Sequence, residues 1–114
     1  MAKKKLPDPL RRRHMVEQEI DPARALQIAE AYLEEGRVLE SVLFLAKAEA
    51  GERLATLREQ AVMEGDAFLL REIAAALGEE MDAETWRALA EAARAAGKDR
   101  YAAEASGQVA RLED

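Results

Sequence analysis

Apolar residues recur along this chain at the three-and-four spacing of a single helix face, and glycine interrupts the runs at nearly even intervals. Ala25, Ile28, Ala29 and Tyr32 fall at i, i+3, i+4 and i+7, and Trp86, Leu89, Ala90 and Ala93 repeat the same figure. Between them lie Val38, Val42 and Leu45, widened by Leu39, Leu43 and Phe44 into a stripe broad enough for burial on two sides, then Leu54, Leu57 and Ala61, and Leu70, Ile73, Ala74 and Leu77. Tyr101, Ala105, Val109 and Leu112 carry a last helix, whose Gly107 signals a close approach or fraying. Gly36, Gly65 and Gly97 each close one helical pattern and precede another, at steps of 29 and 32 residues. That rhythm predicts three tandem helical hairpins, residues 22–50, 51–82 and 83–114.

The punctuation agrees with the periodicity. Asp21-Pro22 marks a helix start, because aspartate accepts from the free N–H groups of the first turn and proline there has no N–H to leave unpaired. Gly36 suits the left-handed position that ends a helix, Gly78 ends another, and Asp82 caps the third hairpin. Upstream, Pro7 and Pro9 disfavour helix at the residues before them, so residues 1–9 are expected to be an extended arm. A short N-terminal helix is expected over 10–20, with Leu10, Met15, Val16 and Ile20 as a weak apolar face that could cap the array.

Composition narrows the class to all-α. Alanine supplies 25 residues and aromatics only five, so the interior is expected to rest on close helix contacts rather than large side chains. Ala, Leu, Glu and Arg dominate, all strong helix formers, and Asn is absent. With no Cys there is no disulfide, thiol nucleophile or Cys-ligated zinc, and His14 alone cannot form a two-histidine metal site within one chain. The longest strongly apolar stretch, residues 41–46, is far too short to cross a bilayer, and no apolar segment follows Met1-Ala2-Lys3-Lys4-Lys5. A cytoplasmic protein without membrane contact is the expectation.

Aligned from Pro22, Gly51 and Ala83, the three copies match without internal gaps, and the pattern resembles the tetratricopeptide repeat. The third copy supplies Trp86, Leu89, Ala90 and Gly97, then Ala102; the first supplies Ile28, Ala29, Tyr32 and Gly36, then Ser41 and Ala48. The second keeps Leu57 and Gly65 but has Arg58 where a small residue belongs. The steps fall short of the family's period of about 34 residues and no proline closes a unit, so a HEAT- or armadillo-type stack is the nearest alternative. The resemblance implies a right-handed α-solenoid whose concave face binds peptides or proteins.

In that family the first helix of each hairpin lines the groove, and one position often carries an Asn that pairs with the partner's backbone. Here that position holds Glu30, Glu59 and Glu91, joined on the same face by Glu34, Glu52 and Glu84, with Arg87 as the only cation beside them. Such a groove would select a basic segment of a partner and reject a carboxylate. The plainer reading is a solvated face in a chain rich in Glu.

Charge is unevenly placed. Lys3, Lys4, Lys5, Arg11, Arg12 and Arg13 against Asp8 give residues 1–14 a formal +5, leaving −11 for the remainder of a chain whose net charge is −6. The basic arm has three readings: contact with nucleic acid or the ribosome, docking into an acidic groove of its own or of a second copy, or a solubilising tail. No aromatic is interleaved for base stacking, and the acidic body would repel a polyanion.

Carboxylates abound without a specific spacing for acid–base work. Ser41, Ser106, Thr56 and Thr85 have no activating histidine in the pattern, and no Gly-rich phosphate loop occurs. The expectation is a non-enzymatic adaptor or scaffold with no cofactor, with an open array end through which two copies could pair.

Overall fold

A computed structural model describes Pro9, Leu10, Arg13 and residues 20–114. The expected arm and most of the expected N-terminal helix lie outside those residues, although Pro9, Leu10 and Arg13 have helical backbone. From Ile20 onward the structure is all-α: α1 (Pro22–Glu34), α2 (Val38–Lys47), α3 (Gly51–Glu64), α4 (Ala67–Leu77), α5 (Ala83–Ala95) and α6 (Asp99–Glu113), with no strand among the described residues. Two units divide it, the first ending at Leu54 and the second running from Ala55 to Asp114, so the boundary falls inside α3.

In the first unit, α1 begins as its sequence dictates. The Asp21 carboxylate accepts from the Arg24 N–H at 3.3 Å, and Pro22 stands in the first turn. Ala25, Ile28, Ala29 and Tyr32 are buried, and α1 packs on α2. Gly36 turns the chain at φ 74°, and the Arg37 N–H closes the turn on the Tyr32 carbonyl at 2.9 Å. The Tyr32 and Phe44 rings stack with centroids 5.8 Å apart, while the Arg37 guanidinium lies over Tyr32 at 5.0 Å. Ser41, fully buried, donates to the Val38 carbonyl at 2.6 Å, so its hydroxyl is spent on its own helix.

The broad apolar stripe expected on α2 is buried on one side only. Ser41, Val42, Phe44 and Leu45 are buried, whereas Leu39 and Leu43 remain 44% and 41% exposed. Their spacing of four puts them on a common strip on the far side of the helix from Ser41, Val42 and Leu45. After Ala48, Glu49 takes the left-handed conformation at φ 56°, and α3 begins two residues later.

In the second unit glycine ends α3 and α4, and aspartate caps α4 and α5. Gly65 (φ 68°) separates α3 from α4, whose cap Asp66 accepts from the Leu69 N–H at 3.0 Å. Gly78 ends α4 at φ 66°, and Asp82 caps α5. Helix α6 packs chiefly on α5 and also on α4. Leu57, Leu70, Ile73, Trp86, Leu89, Ala93 and Ala105 are buried, so the expected inward faces of α3 and α5 point to the core, whereas on α4 Leu70 and Ile73 do and Ala74 and Leu77 are half-buried. Tyr101, Val109 and Leu112 on α6 are only half-buried. Gly107 marks no close approach: a Cβ built on it would meet nothing within 4 Å.

Two contacts tie the successive turns of this unit together. A Cβ on Gly65 would stand 2.5 Å from the backbone N and Cα of Ala93 on α5, so only glycine fits there. Lys98, in the α5–α6 turn, donates its Nζ to the Glu64 carbonyl at 2.7 Å and satisfies one of the unpaired carbonyls at the end of α3.

Candidate functional site

The predicted groove residues stand on three helices, α1, α3 and α5. On α1, Glu30 and Glu34 are four residues apart and therefore neighbours on one face. Glu30 accepts from Arg53 Nη2 at 2.8 Å, and Leu33, Glu34, Glu30 and Arg53 line one shallow depression. Arg87 is thus not the sole cation beside the acids. Arg53, in the first turn of α3, reaches back to α1, a cross-element pairing that helix periodicity cannot register. Glu52 is exposed one residue before it.

In the second unit, Glu84, Arg87 and Glu91 follow one another along α5 at i, i+3 and i+7. Arg87 bonds Glu84 through Nη1 at 3.2 Å and Glu113 of α6 through Nη2. The Glu113 carboxylate, with Glu84 adding to it, raises the Arg87 pKa above its ordinary value. One guanidinium therefore serves two carboxylates, and Glu113 joins the site although sequence periodicity placed it at the far end of a different helix. Glu59 on α3 and Glu91 on α5 are exposed and form no ion pair among the described residues. The face of α5 and its neighbour α6 carries Glu84, Glu91 and Glu113 against Arg87 and Arg94, an acidic excess of one.

Asp82 fixes where this face begins. Its Oδ1 accepts from the Thr85 hydroxyl at 2.6 Å and the Thr85 N–H at 2.8 Å, which lowers its pKa, with the charge of Arg58 contributing in the same direction. Arg58, the residue that breaks the expected small-residue pattern of the second copy, thus acts electrostatically on the cap of α5.

Of the basic arm, Lys3, Lys4, Lys5, Arg11 and Arg12 lie outside the described residues, and Arg13 is exposed. Trp86 and Tyr32 are core residues, as their inward register implied, whereas Phe68 is 38% exposed beneath the Arg71 guanidinium, 5.4 Å from its ring centre. Among the described residues there is no group of three or more His, Asp or Glu arranged to hold a metal ion, and no helix is long and apolar enough to cross a membrane. No protein-family model matches the chain, and no curated protein or solved structure matches it either.

Proposed function

We propose that the chain is a non-enzymatic interaction module, a tetratricopeptide-like array of helical hairpins whose acidic first-helix faces bind a basic segment of a partner protein. The close seat of Gly65 on Ala93 and the reach of Lys98 to the Glu64 carbonyl support the repeat reading, since both link one hairpin's turn to the next. The binding reading rests on one observation: Glu59 and Glu91 are exposed acids with no ion pair among the described residues, while Arg87 is divided between Glu84 and Glu113. Uncompensated carboxylates on a rigid helix face attract a partner's Lys and Arg without first having to break an internal pair. Glu30, already engaged by Arg53, contributes less.

The test is charge reversal. Glu59→Lys with Glu91→Lys should weaken capture of a Lys- and Arg-rich peptide at least tenfold at low salt, with helicity and melting temperature unchanged. Glu30→Lys should weaken it less. Equal capture by all variants would remove the acidic faces from the binding site.

A further inference from the structure

Gly107 sits in the interior of α6, where glycine weakens a helix, and no neighbour requires it, because a Cβ there would meet nothing within 4 Å. Packing does not account for this glycine; a local loss of helix rigidity does. The two sides of the position are anchored differently. Before it, Ala102 and Ala105 are buried, and Glu104 pairs with Arg71 of α4 at 3.2 Å. After it no residue is buried, and Val109 and Leu112 are only half-covered.

Charge ties down the segment beyond the glycine. Arg111 pairs with Glu80, in the connection between α4 and α5, and Glu113 pairs with Arg87 of α5. These four side chains are between 43% and 60% exposed, so both pairs are weak and are screened by salt. Gln108 and Arg111 also line a hollow of about 480 Å³, together with Ala74, Met81 and Trp86. Met81 and Trp86 are 5% and 3% exposed, so the closed segment helps to shut the indole away from solvent.

We infer that residues 108–113 form a strap hinged at Gly107, which opens away from α5 and the α4–α5 connection and admits solvent to Trp86. Unwinding α6 as far as Gly107 uncovers no fully buried side chain and breaks two screened ion pairs. Unwinding further would expose Ala102 and Ala105 and part Glu104 from Arg71, so the opening stops at the glycine. The device is independent of partner binding by Glu59 and Glu91, which stand on α3 and α5.

Trp86 is the only tryptophan, so acrylamide quenching of its emission reads the opening of the full chain without a label. Raising NaCl to about 1 M, where charges act over only about 3 Å, should increase the quenching constant about twofold or more. Glu80→Gln with Glu113→Gln should raise it at low salt and remove the salt response. Amide exchange then locates the hinge: Gly107→Ala should slow exchange at residues 109–113 about fivefold and leave residues 102–105 unchanged.

Quenching that neither salt nor the double substitution moves would overturn the strap. Equal slowing on both sides of Gly107 would show that α6 opens whole and would overturn the hinge.

Discussion

Gly65 and Ala93 are in backbone contact across two helices: the space a side chain on Gly65 would fill is taken by the N and Cα of Ala93, 2.5 Å away. Backbone atoms cannot rotate aside as a side chain can. Gly65→Ala should therefore cost several kcal/mol, of which the left-handed φ explains only about 1–2 kcal/mol. Gly36 and Gly97 share the left-handed conformation but face open space, so Gly36→Ala and Gly97→Ala should cost about 1–2 kcal/mol each. Urea unfolding of the three variants separates the two contributions.

Glu49 occupies the conformation that Gly36, Gly65, Gly78 and Gly97 occupy elsewhere, at φ 56° and exposed. Glu49→Gly should stabilise the protein by about 1 kcal/mol, the left-handed strain relieved less the entropy glycine adds to the unfolded chain. Gly107→Ala, in a helix interior with nothing within 4 Å, should add about 1 kcal/mol. Both shifts are read as higher midpoints in urea, and additivity is expected because the sites are independent.

Asp82 makes stability depend on pH in a defined sense. Its folded pKa lies below the ordinary aspartate value of about 3.9 because the ionised carboxylate accepts two bonds from Thr85. The contribution is present in full above the ordinary value and is lost as pH falls through the lower folded value. Melting temperatures of the wild type and Asp82→Asn should therefore differ at pH 7 and converge toward pH 2. A constant gap would show that the cap acts without its charge.

The two leucine classes on α2 should respond differently to truncation. Leu45, fully buried, should cost about 2–5 kcal/mol as Leu45→Ala. Leu39→Ala and Leu43→Ala, each more than two-fifths exposed, should cost under about 1.5 kcal/mol. Differential scanning calorimetry of the three variants checks the ranking.

Helix starts and stops were legible because their causes are local. Asp21, Asp82, Gly36, Gly78 and Gly97 act within four residues of the ends they define, and all stand where the pattern placed them. The inward faces of α1 and α5 were legible because a period of 3.6 fixes which side chains share a side. The fate of Leu39 and Leu43 was not, since periodicity identifies an apolar strip without saying whether a neighbour covers it. Nor were the pairs Arg53–Glu30 and Arg87–Glu113, made between helices 23 and 26 residues apart in sequence. Those pairs decide which groove carboxylates stay uncommitted, so the candidate site was legible in its residues and illegible in its electrostatics.

The Lys98 ammonium on the Glu64 carbonyl has a consequence for how the second unit folds. A carbonyl at the end of α3 is satisfied by a residue 34 positions later, so the end of α3 is stabilised further once the α5–α6 turn is in place. Cooperativity then runs backward along the chain. Amide exchange at the end of α3 should report the opening of the hairpin that follows it rather than the fraying of its own helix.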